Sequence, residues 1–313
     1  MSTQDLKDLI KKARPNLKDT TVNMYMANLN KLKKVMDTDN FNFLKDISKV
    51  KEKISHLHYT SQRNYYNSII IYLMAKDEDK DIIEKYNKER DNLNDKYVEE
   101  NSKGIISDKQ KNNFISLSEL NDMIRKMGSD LVKMDYKKKP LNSKGKSLLQ
   151  AYTIFNIHTR LPLRNDLSGM ESISKRDYNK LTETEKKEKN YLVIEKNKMF
   201  MVLNKYKTSK KYEELDIDIP KDLEKIIRTY IRITGDGVLF KNGGDQAISR
   251  NGLSQLLIRY SKEYLNKNIS TTMLRKIVLS DKFADLKQEQ KKMSKITGHS
   301  VDTMNNVYIK EKD

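Results

Sequence analysis

The sequence of 313 residues contains no cysteine, which excludes disulfide bonds, a thiol nucleophile and a cysteine-ligated zinc site. This absence is compatible with a reducing compartment. The longest apolar run, IIIYLMA at 69–75, is much too short to span a bilayer. The N-terminus, MSTQDLKDLIKKARPN, has no apolar segment of the kind found in signal peptides. We therefore expect no disulfide framework, no secretory signal and no membrane partner.

Histidine is also scarce, with four in the chain. His56 and His58 have no ligand-like residues near them in sequence, so a metal site is not expected there. His158 lies just before a proline-containing turn, and a packing role is the simpler interpretation of it. The sequence therefore predicts no metal site.

Positive charge is what the chain has in excess. It has 62 lysines and arginines against 44 acidic residues, a formal net charge of +18. Such a balance favours nucleic acid or an anionic surface as the partner, although a lysine-rich composition can also follow from an AT-rich genome. The sign reverses over 76–100, where 10 acidic residues outnumber 6 basic ones. Basic segments therefore lie on both sides of an acidic stretch.

The first hundred residues are predicted to be helical. TVNMYMANLNKLKKVM spaces its apolar residues for one helix face, SQRNYYNSIIIYLMA is a second amphipathic helix, and glycine is absent until position 104. A highly charged helix then gives way to a polar segment. We expect a helical domain at 1–100, a linker at 101–112 and a second domain at 113–313.

The second domain combines helices with short strands. Ser116 and Glu119 form a capping-box pattern at the start of a helix. YLVIEKNKMFMVLN (191–204) reads as two strands around a polar turn, and YEELDIDIP (212–220) alternates as a third strand before the helix that begins after Pro220. The predicted fold is mostly α with a small antiparallel sheet, which makes the second domain α+β.

Four short segments carry side chains suited to phosphate chemistry. Arg164 heads a predicted helix in LPLRNDL, Lys207 lies in the turn between two strands, and Arg275 lies on the helix STTMLRKIVLS. The fourth segment, GHSVDTMNNVY, places His299 nine residues before Tyr308.

Each of these residues is unremarkable by itself, because basic residues and tyrosines are common in the chain. Arg160 is as plausible a candidate as Arg164. Lys207 has Lys205, Lys210 and Lys211 as neighbours, and any of them could be surface charge. The order of the four segments is what makes them informative.

That order resembles the catalytic domain of the tyrosine recombinase (phage integrase) family over residues 115–313. The resemblance is carried by LPLRNDL, KTSKKYEELDIDIP, MLRKI and, most specifically, GHSVDTMNNVY. The helical N-terminal part is similar to the core-binding domain of that family in position and helix content.

The resemblance implies that Tyr308 attacks a DNA phosphodiester, forming a 3′-phosphotyrosyl link and releasing a 5′-hydroxyl. Arg164 and Arg275 would stabilise charge on the phosphate oxygens, and His299 would donate a hydrogen bond to a non-bridging oxygen. Lys207 would protonate the leaving oxygen. Neither ATP, a metal nor another cofactor is implied.

Two positions depart from the family pattern. Thr272 stands three residues before Arg275, where the family usually has histidine or lysine, and threonine cannot transfer a proton near pH 7. Leu167 stands three residues after Arg164, where the family tends to have a carboxylate, and Asp166 lies one position earlier. We expect either slower proton transfer at the first position or a larger share of it for Lys207. At the second position, the sequence leaves open whether Asp166 braces Arg164.

Double-stranded DNA is the expected partner. In the N-terminal domain we expect phosphate contacts from six basic residues: Lys31, Lys33, Lys34, Lys51, Lys53 and Arg63. The family resemblance implies a homotetramer on paired DNA sites and recombination or integration of a mobile or viral element. The expected location is a reducing intracellular compartment in which DNA is accessible.

Two other functions fit parts of the sequence. A type IB topoisomerase shares the tyrosine chemistry but relaxes supercoiled DNA as a monomer without needing a specific site. A DNA-binding protein without catalytic activity would fit the threonine at position 272. It would bind in a salt-dependent way and form no covalent product.

Overall fold

A computed structural model describes residues 3–102, 104, 106–207, 209 and 214–310. The chain divides into two compact units, residues 1–106 and 107–313. Among the described helices, none combines the length and the apolar character needed to cross a membrane. The roles assigned to the two domains from the sequence stay predictions.

The first unit is helical throughout its described residues. Its elements are α1 (Thr3–Ala13), α2 (Asp19–Val35), a 3-10 turn (Asn42–Lys45), α3 (Ile47–Ile54), α4 (Tyr59–Ala75) and α5 (Lys80–Ser102). The isoleucine run of α4 is buried and forms the centre of the core. The acidic helix α5 has a single buried residue, Tyr86, whose hydroxyl donates a hydrogen bond of 2.9 Å to the Leu44 carbonyl.

The second half of the predicted linker at 101–112 lies within the second unit and has structure of its own. Residues 108–111 form a short helix, α6 (Asp108–Lys111). The Lys276 ammonium donates to the Gln110 side chain at 2.9 Å, and the Lys267 ammonium donates to the Asn112 carbonyl at 2.7 Å. These bonds attach residues 110–112 to the rest of the second unit.

The second unit surrounds one buried helix. Its helices are α7 (Leu117–Lys133), α8 (Ser143–Arg160), α9 (Lys175–Tyr178), α10 (Glu183–Glu188), α11 (Lys221–Thr234), α12 (Arg250–Leu265), α13 (Thr271–Thr297) and α14 (Val301–Thr303). A 3-10 turn (Asn165–Leu167) follows α8, and a π-helical turn (Met304–Tyr308) is the last described element. Helix α8 is buried along most of its length, and α7, α11, α12 and α13 pack against it or its neighbours. The capping box at Ser116 and Glu119 is present as predicted.

The sheet has five short strands in the order β4-β3-β2-β1-β5. They are β1 (Glu171–Ser174), β2 (Tyr191–Ile194), β3 (Met199–Leu203), β4 (Leu215–Asp218) and β5 (Gly237–Val238). The predicted hairpin of β2 and β3 is confirmed, and β4 pairs antiparallel with β3.

The prediction of a mostly helical protein with a small sheet is confirmed, with one correction: three of the four strand pairs are antiparallel and one is parallel. Strand β1 pairs parallel with β2, so the sheet is mixed. Parallel neighbours need a crossover connection, which α9 and α10 provide. The sequence did not reveal β1 and β5, because β1 is four residues with one β-branched apolar side chain and β5 is only two residues long.

The buried hydroxyl of Tyr86 gives a stability prediction for the first unit. Replacing Tyr86 with phenylalanine leaves the buried Leu44 carbonyl without its donor, and we expect a loss of about 1–2 kcal/mol in the free energy of unfolding. Urea denaturation followed by circular dichroism measures it. Tyr97→Phe on the exposed part of the same helix is the matched control, and equal midpoints for the two variants would contradict the assignment.

Candidate active site

Arg164 is held in an extended segment that directly follows the buried helix α8. The helix ends at Arg160, since Pro162 has no N–H with which to continue it. Leu161 and Leu163 pack against the core on either side of the proline and fix the direction of the chain. The sequence predicted a helix after Arg164, but only the three-residue turn Asn165–Leu167 forms there. The Arg164 side chain is exposed.

Arg275 lies in the second turn of α13. The Ser270 side chain caps this helix by accepting from the Met273 N–H, and Leu274 and Val278 anchor it in the core. Arg275 is half-buried. Burial lowers the pKa of its guanidinium, and the like charge of Arg164 lowers it further. The two arginines predicted from the sequence therefore lie within electrostatic range of each other.

A buried carboxylate accompanies the two guanidinium groups. Asp166 is 6% exposed and interacts electrostatically with Arg164, Arg250 and Arg275. Burial raises the pKa of Asp166, and the three cations oppose that effect. Leu167, at the position where the family tends to have a carboxylate, is fully buried in the core. Asp166 therefore supplies the negative charge one position earlier.

Arg250 is a member of this cluster that the sequence did not reveal. It begins α12, and its Nη2 lies 3.7 Å from Asp166 Oδ1. The Asn165 side chain donates to the Arg250 carbonyl at 3.0 Å, which ties the start of α12 to the Arg164 turn. Eighty-four residues separate Arg250 from Asp166, and no local motif marks it.

The guanidinium of Arg160, the alternative to Arg164, forms hydrogen bonds within the fold. Its Nε donates to Asp222 Oδ2 at 2.6 Å, and its Nη1 donates to the carbonyl and the side-chain oxygen of Asn156. These bonds join α8 to α11. By contrast, neither Arg164 nor Arg275 forms a hydrogen bond from its guanidinium to any side chain or backbone group within the described residues.

His158 lies in the last turn and a half of α8 and is fully buried. Neither ring nitrogen has a hydrogen-bond partner among the described residues. Burial lowers the pKa of His158 to about 4, and the nearby charge of Arg275 contributes. The imidazole is therefore neutral at pH 7, in agreement with a packing role.

Lys207 is exposed in the segment that connects β3 to β4, so its place in a turn between two strands agrees with the prediction. Its competitors Lys210 and Lys211 lie outside the described residues. The base of this segment is fixed by Asn190, which is buried. Its side-chain NH2 donates to the carbonyls of Asp166 (3.0 Å) and Lys205 (3.2 Å), and its oxygen accepts the N–H groups of Asn204 and Lys205. One amide thus connects the Arg164 turn to the segment that bears Lys207.

His299 and Tyr308 lie together at the other end of α13. The helix ends at Gly298, whose positive φ of 70° suits glycine, and the chain then turns into α14. The rings of His299 and Tyr308 are stacked, with centroids 4.8 Å apart and an interplanar angle of 22°. Tyr308 is 59% exposed, so its hydroxyl is open to solvent rather than part of a core.

The predicted residues therefore form two groups within one chain. Arg164 and Arg275 form one group, with Thr272 exposed one turn before Arg275. His299 and Tyr308 form the other group. Helix α13 is continuous between them, and at 1.5 Å per residue Thr297 lies roughly 33 Å along the axis from Arg275.

The six basic residues that are predicted to contact DNA in the first unit differ in their exposure and in their contacts with other side chains. Lys31, Lys34 and Lys53 are exposed. Lys33 lies over the Phe41 ring at 5.1 Å. The remaining two are engaged by the acidic helix α5: Lys51 pairs with Glu89 at 2.8 Å, and Arg63 donates to Asn94 and stacks on Tyr97.

Metal ligands do not gather anywhere in the part of the chain that the structure describes. No group of three or more histidines, aspartates and glutamates there has the arrangement needed to hold an ion.

The buried His158 gives a pH prediction. With a pKa of about 4 in the folded state and about 6.5 unfolded, the unfolded chain binds the extra proton first as the pH falls. His158 therefore lowers the free energy of unfolding as the pH falls from about 6.5 to about 4, by up to about 1.4 kcal/mol per pH unit. In His158→Leu this contribution disappears, which urea midpoints at pH 7 and pH 5 measure. A wild-type-like pH dependence in His158→Leu contradicts this, and exposed His56→Gln is the control.

The four bonds of Asn190 give a second prediction. Asn190→Ala leaves buried carbonyls and N–H groups unpaired, and we expect a loss of about 2–4 kcal/mol in the free energy of unfolding. Asn190→Asp keeps the acceptor and loses the donors, so its loss should be smaller unless the buried charge costs more. Thermal denaturation compares the three proteins. An unchanged midpoint in Asn190→Ala would refute the connecting role.

No protein-family model matches the sequence, and no curated protein matches it significantly. Among solved structures, the chain is similar to a crystal structure of XerA recombinase, with 13% identity, coverage of 100% of this chain and 95% of that one, and a TM-score of 0.35. It is also similar to XerH site-specific recombinase bound to its difH substrate in a pre-cleavage complex, with 14% identity, coverage of 99% and 85%, and a TM-score of 0.42. At these TM-scores the two similarities carry no argument about function.

Proposed function

We propose that this protein is a site-specific DNA recombinase that cleaves and rejoins DNA through a covalent 3′-phosphotyrosyl intermediate. The observation that carries the proposal is the arginine pair. Arg164 and Arg275 come from distant parts of the chain, lie within electrostatic range of each other, and leave their N–H groups without partners among the described residues. This arrangement suits an anion that is supplied from outside the protein.

A phosphodiester is the anion that fits best. Two cations held near each other repel, and a bound phosphate removes that repulsion while accepting hydrogen bonds from both guanidinium forks. Arginine stays charged even where burial lowers its pKa, so the pair remains doubly positive at neutral pH. Charge that develops on the phosphate oxygens during displacement is stabilised in the same way.

Tyr308 is the proposed nucleophile. Its oxygen forms a bond to phosphorus as the bond to the 5′-oxygen breaks. The exposed phenol gives its proton to water, and the leaving oxygen gains a proton from Lys207. His299, stacked on the Tyr308 ring, arrives with it and donates a hydrogen bond to a non-bridging oxygen. An ordinary phenol has a pKa near ~10, so the reaction depends on the cations around the phosphate. No metal or ATP takes part in this scheme.

Duplex DNA is the proposed substrate. The net charge of +18 favours a polyanion, and the exposed lysines Lys31, Lys34 and Lys53 of the first unit are suited to phosphate contacts. We propose that Lys33, Lys51 and Arg63 also contact phosphates. Lys51 and Arg63 do so after their contacts with α5 are broken. We further propose a homotetramer on paired sites that recombines or integrates a mobile or viral element.

Covalent trapping tests the proposal. Full-length protein is incubated with a pool of nicked duplexes of randomised sequence, so that cleavage beside the nick loses a short fragment and leaves protein attached to DNA. Wild type should give a slowly migrating adduct on a denaturing gel, and Tyr308→Phe should give none. We expect Arg275→Ala to reduce the adduct by about 10²-fold or more.

Tyr206→Phe is the matched control, because this buried tyrosine lies close to Lys207 in sequence and has no proposed part in the chemistry. Adducts in Tyr308→Phe would show that another residue is the nucleophile. Salt-dependent binding without adducts from wild type would favour the non-catalytic DNA-binding protein. Relaxation of plain plasmid by a monomer would favour the topoisomerase.

A further inference from the structure

A cavity of about 810 Å³ opens in the second unit beside the first half of α8. Its walls are formed by α8, α11, α12 and the segment from Lys241 to Ile248. This volume is in the range of sites that bind small organic molecules. None of the residues proposed for the phosphodiester chemistry lines the cavity, so it is separate from the arginine pair.

The lining of the cavity is positively charged. Lys146, Lys241 and Arg259 contribute three cations, and Asp245 is the one carboxylate among the lining residues. Among the described residues, neither lysine forms an ion pair, and Arg259 donates a hydrogen bond to the Ser147 hydroxyl. A ligand with negative charge would remove the repulsion among the three cations. The cavity therefore favours an anion.

One amide fixes the inner wall of the cavity. Gln150 is 9% exposed, and its Oε1 accepts hydrogen bonds from the Tyr230 hydroxyl and the Lys241 N–H, both at 3.0 Å. Its Nε2 donates to the Lys241 carbonyl at 3.0 Å. The backbone that carries the Lys241 cation is therefore in place before a ligand binds, which reduces the entropy lost on binding.

A phosphate monoester with an organic group fits this lining. The three cations and one carboxylate leave an excess of two positive charges, and a phosphate monoester carries about −1.5 to −2 at pH 7. Lysine and arginine side chains both form charge-assisted hydrogen bonds to phosphate oxygens. Ile233, Ile248 and Leu256 also line the cavity, and these apolar side chains suit an organic group that a free phosphate ion lacks.

The segment that forms one wall also connects the cavity to the arginine cluster. The Ser168 hydroxyl donates to the Ile248 carbonyl at 2.7 Å, and the Asn165 side chain donates to the Arg250 carbonyl at 3.0 Å. Both bonds join this segment and the start of α12 to the turn that follows Arg164. A ligand that holds the segment therefore also restrains that turn.

We propose that the cavity binds a small organic phosphate monoester, such as a nucleoside monophosphate, and that the bound ligand restrains residues 241–250. The phosphate lies against Lys146, Lys241 and Arg259, and the organic group lies against the apolar part of the wall. The binding does not depend on the recombinase function proposed above.

Isothermal titration calorimetry of the full chain with adenosine monophosphate tests the binding. Wild type should bind it more tightly than inorganic phosphate or adenosine. The double variant Lys146→Gln, Lys241→Gln should bind it at least about tenfold more weakly, because two charged hydrogen-bond donors are lost. Lys225→Gln is the matched control and should bind like wild type, since this exposed lysine of α11 does not line the cavity. Circular dichroism confirms that the variants are folded.

The arginine pair is the other proposed phosphate site, so the titration is repeated with Arg275→Ala. Binding at the cavity should persist in this variant. Loss of binding in Arg275→Ala together with unchanged binding in the double variant would place the ligand at the arginine pair and overturn the proposal. No binding by wild type would overturn it as well, and the covalent trapping result would be unaffected.

Hydrogen–deuterium exchange with mass spectrometry tests the restraint. Saturating adenosine monophosphate should slow amide exchange in residues 241–250 and 165–168 of wild type, and should leave exchange in the double variant unchanged. Unchanged exchange in wild type, when calorimetry shows binding at the cavity, would overturn the restraint and leave the binding site standing.

Discussion

Arg164 and Arg275 repel each other, and the second unit depends on the groups that keep these two arginines close in spite of the repulsion. Asp166 supplies a buried opposite charge, and Arg250 and Asn165 fix the turn that presents it. Asn190 extends this support to the segment that bears Lys207. Within the described residues, three arginines interact with the one carboxylate of Asp166, so the cluster carries excess positive charge. A bound phosphate oxygen would neutralise this charge. The function is therefore inferred from the arginine pair and not from the tyrosine.

Helix α13 connects this cluster to the rest of the proposed chemistry. Its first two turns are part of the core and position Arg275, whereas its second half leaves the core and carries apolar side chains into solvent. A single helix thus has one end buried in the core and one end exposed to solvent. Exposed apolar side chains cost free energy in water, and the same half of the helix separates Arg275 from His299 and Tyr308.

Much of the fold was predictable from the sequence because its signals are local. The capping box at Ser116, the β2–β3 hairpin and the helical first unit follow from spacing over a few residues. The parallel pairing of β1 and the contribution of Arg250 were not predictable, since both depend on residues brought together from far apart in the chain. The motifs indicated Arg164, Arg275, His299 and Tyr308 as candidates. They gave no indication that α13 would be straight, because helix propensity does not determine where a long helix bends.

The most direct test of this account is a distance within one chain. Since the sequence has no cysteine, Thr272→Cys and Lys295→Cys can carry two spin labels on exposed positions of α13 without background labelling. Labelled chains are diluted with unlabelled ones and measured by pulsed electron resonance, with and without duplex DNA. A continuous helix predicts roughly 34 Å between the two backbone positions under both conditions. A distance of about half that value on DNA, as for a helix that folds back on itself, would contradict the continuous α13 and the separation of Arg275 from His299 and Tyr308.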